Sequence, residues 1–360
     1  MGKLKIIYRH TKFPIILYSI PLLIFLLFGC GNLKSRSINS EETKGADLLT
    51  KDNKDNQKVA PIDRKVDIRI DKKSQKLSEQ KKCLGNNKNF SITFMKTNNL
   101  GEKYSEGINH VVIFNPHSTA LDFKVNVGIA HDIYAKNSQG KIEKEYIPKV
   151  FSQLITEENA KLDGNLPIAA INADYINTED KPQGLNISRG VNYSGVFQNK
   201  RSSFGISGGL ASQRKATIQI GKRREKGENY NVVGGNGRFY KNGKFKDICE
   251  DLGEFACARA TNRSMVAITN KGYVIFLVND IKANSSIRIS NFNQELLPDM
   301  FDEVLEGIAN NNCLGSIQEG MLFDGGMSPG LYYDGKTYVN NPGFIGSVFL
   351  VYRRDASNKY

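Results

Sequence analysis

Gly320-Met321-Leu322-Phe323-Asp324-Gly325-Gly326-Met327-Ser328-Pro329-Gly330-Leu331-Tyr332-Tyr333 reads as strand, tight turn and strand. An apolar run stops at a carboxylate, two glycines let the backbone turn, a hydroxyl follows, and a second apolar run begins. Asp324 and Ser328 therefore stand at the mouth of a sheet, where backbone N–H groups at Gly325 and Gly326 can face a ligand. A hairpin whose Asp only bonds its own turn gives the same pattern. Other segments have to decide between the two.

Outward from this turn, short apolar runs separated by turn residues predict strands at 111–114, 121–129, 168–171, 203–206, 216–220, 264–269, 273–278 and 348–352. Gly234-Gly235-Asn236-Gly237 predicts a turn between strands. Helical spacing is clear in Leu297, Phe301, Val304, Leu305 and Ile308, and a second helix is predicted over about 152–162. The fold class expected is mixed α/β (α+β): a large mixed sheet system with a few packed helices, in a single domain over 89–360.

The first 30 residues read differently. Lys3, Lys5, Arg9 and Lys12 precede an apolar stretch, Ile15 to Phe28, that is too short to span a bilayer comfortably, and the stretch ends in Leu27-Phe28-Gly29-Cys30. This resembles a bacterial lipobox, with Cys30 as the lipidated first residue of the mature chain; an uncleaved N-terminal anchor is the alternative. Residues 31–88 are rich in Lys, Asp, Asn, Ser and Gln and poor in apolar residues until about Lys82, which predicts a disordered charged tether. A flexible segment of that length spans on the order of 40 Å. The expected localisation is a bacterial membrane-anchored lipoprotein on a periplasmic or extracellular face, its membrane partner reached through the lipid.

Net charge is +13, but residues 1–90 hold 19 Lys+Arg against 9 Asp+Glu, and so account for +10 of it. The basicity belongs to leader and tether and argues against a nucleic-acid partner. Setting Cys30 aside leaves Cys83, Cys249, Cys257 and Cys313 in an exported chain. Of the three pairings open to four cysteines, Cys249 with Cys257 and Cys83 with Cys313 is favoured; four free thiols is the reading for a reducing compartment. No Cys-x-x-Cys zinc spacing and no phosphate-binding Gly-x-x-x-x-Gly-Lys-Ser/Thr loop occurs.

Three further segments carry candidate chemistry. Ile168-Ala169-Ala170-Ile171-Asn172-Ala173-Asp174 is a buried-looking strand ending in an amide and a carboxylate, which on an extended chain share one side. Arg201-Ser202 and Arg263-Ser264 each place an Arg and a hydroxyl before a strand, and a guanidinium fork suits phosphate or carboxylate.

In order and interval these segments resemble the phosphodiester glycosidase family (N-acetylglucosamine-1-phosphodiester α-N-acetylglucosaminidase-like domain) over most of residues 110–352. A known animal member acts in lysosomal enzyme maturation, removing N-acetylglucosamine to uncover mannose 6-phosphate. Asn172-Ala173-Asp174-Tyr175-Ile176 is similar to the family's Asn-Gly-Gly-Phe-Phe, and Pro182-Gln183-Gly184-Leu185 to the Gly-led segment after it. Asn262 to Ala267 resembles Ala-Arg-Thr-Ala-Ile-Gly, Val278-Asn279-Asp280 a strand ending in Asp, and Leu322 to Pro329 the Asn-Leu-Asp-Gly-Gly-Gly-Ser-Ser signature. Met327 replaces a family glycine, Pro329 a serine, and Ala267 a glycine.

The resemblance implies a hydrolase acting on a sugar-phosphate or polysaccharide substrate. Arg263 would clamp phosphoryl oxygens, and Asp324 and Asp174 would do acid/base work or hold a divalent cation such as Ca; no motif fixes a cofactor or metal. Asn172, Arg201, Ser264, Asp280, Gly325, Gly326 and Ser328 would bind substrate. The alternative is a catalytically inactive polysaccharide-binding or exopolysaccharide-assembly surface protein.

Overall fold

The Leu121–Val127 strand buries Leu121, Phe123, Val125 and Val127 and leaves Asp122, Lys124 and Asn126 half-buried, the alternation expected of a strand with one face on a core. Its polar face is not idle. Lys124 and Asn126 bind the buried Glu158 carboxylate at 2.9 and 2.7 Å, and the Tyr352 hydroxyl adds a third bond at 2.7 Å, which fastens the Phe151–Asn159 helix to the sheet. The computed structural model describes residues 83–98, 107–136, 142–161, 166–194, 201–221, 228–246, 248, 262–281 and 300–354. All lie in one unit, Asp71–Tyr360.

Three sheets make the body. A seven-stranded sheet runs, in spatial order, Ile92–Asn98, Gly107–Phe114, Val274–Ile281, Arg263–Thr269, Ile317–Leu322, Asn236–Lys241 and Lys244–Phe245. A five-stranded sheet runs Lys336–Asn340, Gly330–Tyr333, Pro167–Asn172, Ser347–Arg353 and Leu121–Val127. Another runs Ala216–Ile220, Ser202–Ile206, Asn231–Gly234, Ile187–Ser188 and Val191–Asn192. Every strand pairing described is antiparallel.

The three sheets share one core. Phe114 and Phe276 come from the first sheet, Phe123 and Phe349 from the second and Phe204 from the third, with ring centroids 5.0–6.1 Å apart in tilted and edge-on pairs. The outer face of the seven-stranded sheet packs Met265, Ala267, Ile275 and Leu277 against the Phe301–Asn311 helix. The Phe151–Asn159 helix covers the outer face of the second sheet. The molecule is thus a sheet sandwich flanked by helices, α+β as the pattern of runs predicts.

Three sequence expectations need correction. The strand expected over 121–129 breaks at Gly128, where an added Cβ would lie 2.1 Å from the Ile147 carbonyl oxygen, and a separate strand, Ile129–Lys136, pairs with Ile142–Tyr146. The second helix is Phe151–Asn159, starting one residue earlier and ending sooner. The turn expected at Gly234 to Gly237 is a sheet switch: Asn231–Gly234 belongs to the third sheet and Asn236–Lys241 to the first.

Cys83 is bonded to Cys313, tying the start of the described body to the segment after the Phe301–Asn311 helix. The following turn is held there too, because the Gly85 N–H donates to the Asn312 carbonyl at 3.0 Å. Cys249, Cys257, Cys30, Leu297, the leader and the tether up to Lys82 lie outside the described residues.

Candidate functional site

The Pro167–Asn172 strand is buried along its whole length, so its continuation delivers Ala173 and Asp174 into the body rather than to solvent. The Ala173 N–H donates to the Ser347 carbonyl (2.8 Å), and the Asp174 N–H to the Ser347 hydroxyl (3.2 Å). The Asp174 carboxylate, with no solvent exposure, accepts from the Tyr175 N–H at 2.8 Å, the Gly184 N–H at 2.6 Å and the Asn186 amide at 2.6 Å. Room for it is made by missing side chains: a Cβ on Gly234 would lie 2.6 Å from the Asp174 carboxyl carbon, and one on Gly184 would lie 2.7 Å from the Gly234 Cα. Burial raises the Asp174 pKa, against the opposing pull of Arg201 and the three donors.

Arg201, at the start of the Ser202–Ile206 strand, is aimed at this carboxylate. Its Nε donates to the Gly235 carbonyl at 3.1 Å and its Nη1 to Gln183 Oε1 at 2.8 Å, and the guanidinium lies over the Tyr175 ring, 4.3 Å from its centroid. Its Nη2 sits 4.0 Å from Asp174 Oδ1, an ion-pair distance beyond hydrogen bonding. That nitrogen is buried and has no hydrogen-bond partner among the described residues. Asn186 Oδ1, on the other side of Asp174, is likewise buried without a partner. Buried groups of this kind are costly to leave unpaired.

Asp324 reaches the same place from the seven-stranded sheet. Its N–H donates to the Ala173 carbonyl at 2.8 Å, and its carbonyl accepts from the Asn172 side-chain amide at 2.7 Å. Asn172 Oδ1 in turn accepts from the Ser264 hydroxyl at 2.6 Å and the Gly330 N–H at 3.0 Å. The Asp324 carboxyl accepts hydrogen bonds from the Ser328 hydroxyl and the Gly325 N–H. Its pKa is pushed up to about 7, chiefly by burial and further by the charge on Asp174, with Ser328, Arg201 and Gly325 resisting. The Gly326 N–H closes the turn on the Asn262 carbonyl at 2.9 Å. Met327, within this turn, is 66% exposed.

Tyr175 sits among these charges. Its hydroxyl donates to the Phe323 carbonyl at 3.3 Å. Its pKa is raised by burial and by Asp324 and Asp174, and lowered by Arg201 and Arg263. Asp174, Asp324, Arg201, Tyr175 and Arg263 therefore form one electrostatically linked cluster.

The sequence-predicted residues take distinct places here. Arg263 is buried, lies against the Phe301 ring at 5.8 Å, and acts on Tyr175. Arg201 is the guanidinium that acts on both carboxylates. Ser264 and Asn172 are spent on each other and on the turn. Asp280 stands at the end of the neighbouring strand, one residue past Asn279, the register partner of Arg263. Sequence reasoning did not single out Tyr175, Asn186 or Gly234. The available signal for Gly234 was the density of glycine at 234–237, read as a turn; Asn186 follows Gly184 by two positions.

Among the described residues, no group of three or more His, Cys, Asp or Glu side chains is placed to hold a metal ion. Asp174 Oδ1 accepts the Tyr175 N–H, and Oδ2 accepts the Gly184 N–H and the Asn186 amide.

The family model described as "Phosphodiester glycosidase" matches residues 165–358, more than half of the chain. No curated protein matches. Among solved structures, the catalytic domain of zebrafish N-acetylglucosamine-1-phosphodiester alpha-N-acetylglucosaminidase, auto-inhibited by its pro-peptide, is similar at 13% identity and a TM-score of 0.50, covering 75% of this chain and 85% of that one. A hypothetical protein from Synechocystis gives 13% identity and a TM-score of 0.48, covering 73% of this chain; the present chain spans 62% of its length. A putative exported protein from Burkholderia pseudomallei gives 10% identity and a TM-score of 0.41, with 68% and 74% covered.

Proposed function

The chain belongs to the phosphodiester glycosidase family, and from that premise we propose that it is an exported lipoprotein hydrolase cleaving a sugar phosphodiester in an envelope or extracellular glycan. One observation carries the reading: a carboxyl held up at about 7, Asp324, feels the charge of a guanidinium, Arg201, whose Nη2 is buried without a hydrogen-bond partner among the described residues. Cleavage of such a diester needs a proton for the leaving oxygen and positive charge for the phosphoryl oxygens. Asp324 is protonated at neutral pH in a useful fraction and supplies the first. Arg201, with Arg263 behind Tyr175, supplies the second.

Asp174 acts through Arg201, fixing the guanidinium and raising the Asp324 pKa by its charge. Asn172 and Ser264 hold the turn that carries Asp324. Ser328 and the Gly325 N–H orient the Asp324 carboxyl, so that its proton faces one way. The lipid anchor at Cys30 would keep this cluster within a tether's length of the membrane face.

The test is hydrolysis of a panel of sugar 1-phosphate diesters by the full-length protein, with and without chelator, beside Asp324→Asn. Release of sugar by the wild type and not by the variant is expected, and insensitivity to chelator separates protein acid/base chemistry from calcium dependence. Binding of the diesters without release by the wild type would favour the inactive polysaccharide-binding reading instead.

A further inference from the structure

A polar pocket opens at the far ends of the strands beside the candidate site. Arg201 and Gly234 mark one end of the Ser202–Ile206 and Asn231–Gly234 strands, and Ser207 and Tyr230 lie just past the other. One strand length, roughly 17–20 Å, separates the two places. The pocket has a volume of about 260 Å³ and is lined by Asp122, Arg189, Arg214 and Arg354, by Tyr230, and by the loop 207–209. That size suits a single sugar-sized group rather than a drug-sized ligand, for which several hundred Å³ is usual.

Its charge is unbalanced. The single carboxylate, Asp122, meets three guanidinium groups: Arg189 Nη2 at 3.1 Å on Oδ2, and Arg214 Nη2 and Arg354 Nη2 each at 4.0 Å from Oδ1. The last two stand beside one oxygen at ion-pair distance, short of hydrogen bonding, so Arg214 Nη2 and Arg354 Nη2 line the cavity without being bonded to Asp122. Arg214 is buried and fixed. Its Nη1 donates to the Leu121 carbonyl at 2.7 Å, and its guanidinium lies 5.3 Å from the Phe123 ring centroid. A buried, pre-positioned guanidinium loses little freedom when it takes up a ligand.

The opposite wall is open. Gly208 lies against the Tyr230 ring, where a Cβ would come within 2.9 Å, and Gly209, at φ +91°, has nothing within 4 Å of its Cβ position. Tyr230 is itself partly exposed at 37%, a ring available at the pocket mouth.

We propose that this pocket is a second binding site, for an anionic sugar unit of a glycan, with its phosphate or carboxylate between Arg214 and Arg354 and its ring beside Tyr230. The site lets the protein grip a charged polymer one strand length away from the cluster around Asp324.

Calorimetric titration of the full-length protein with glucose 6-phosphate, glucuronate, glucose and inorganic phosphate tests it. Either anionic sugar should bind, glucose should not, and affinity should fall as salt is added. The first two probes tell the phosphate and carboxylate sources apart. Arg189→Gln with Arg354→Gln, both on exposed side chains, should weaken binding about tenfold or more, whereas Asp122→Asn, which removes the competing carboxylate, should strengthen it. Three results would overturn the proposal: no binding of either anionic sugar, binding that survives the double Arg variant but disappears in Arg201→Gln, or inorganic phosphate bound as tightly as glucose 6-phosphate.

Discussion

The side-chain amide of Asn172 donates to the backbone carbonyl of Asp324 across 2.7 Å, joining positions 152 residues apart in the chain. Through the same side chain, Ser264 and the Gly330 N–H are tied to the turn as well. Asn172→Ala leaves three buried polar groups without partners, each costing about 1–3 kcal/mol. The denaturant midpoint should fall by an amount corresponding to about 3 kcal/mol or more. An unchanged midpoint would mean the knot contributes nothing.

Asp324→Asn keeps the shape of the side chain and its place in the turn but removes the transferable proton. Hydrolysis should fall by about 10²-fold or more, with the fold intact by circular dichroism. With Asp324 as general acid, the wild-type rate should decline as pH rises through about 7, since the protonated form is then lost. A rate that keeps rising past that pH would assign the acid elsewhere.

The same carboxyl makes stability depend on pH in the direction opposite to a salt-bridged Asp. Its folded pKa, about 7, lies above the ordinary value of 3.8, so between these values the folded state binds more protons than the unfolded state. Stability contributed by the protonated form is therefore full below about 4 and lost as pH climbs to about 7. Thermal melts across that window should show this decline in the wild type and a weaker one in Asp324→Asn. Equal slopes would show that Asp324 titrates normally.

Arg201→Lys retains a positive charge and loses the planar fork and its stacking on Tyr175. Turnover of a phosphodiester should fall at least tenfold, and affinity for the neutral sugar should change little. Equal losses on both would point to collapse of the Asp174 pocket instead.

Cys30→Ser should move the protein from the membrane fraction to the soluble fraction, or leave an uncleaved precursor detectable by intact mass. Identical fractionation and mass would remove the lipid anchor from the reading.

Much of this body is legible in order along the chain. Apolar runs such as Val348–Tyr352 alternate with turn residues clearly enough to give the strands, and each candidate residue follows or precedes one. What the sequence could not convey is which guanidinium faces which carboxylate. Arg201 meets Asp174 only because Gly234, on a third strand, has no Cβ to occupy the space, and that depends on sheet-to-sheet packing. Asn172 illustrates the same limit. An amide at a strand end reads equally as a ligand contact or a structural bond, and only the positions of Ser264 and Gly330 show that its hydrogen-bonding capacity is spent within the protein. The break at Gly128 was hidden for a related reason, since the backbone that packs against it, at Ile147, lies on the far side of a hairpin.

The bond between Cys83 and Cys313 closes a span of 230 residues, and it lies just before the edge strand Ile92–Asn98. A pull along the chain from the side of residue 82 would otherwise peel that strand away from Gly107–Phe114 one hydrogen bond at a time, the weakest way to load a sheet. With the cross-link in place, tension arriving at Cys83 passes to Cys313, beside the end of the Phe301–Asn311 helix, and the edge strand carries none of it. For a body loaded from its N-terminal side, the cross-link acts as strain relief.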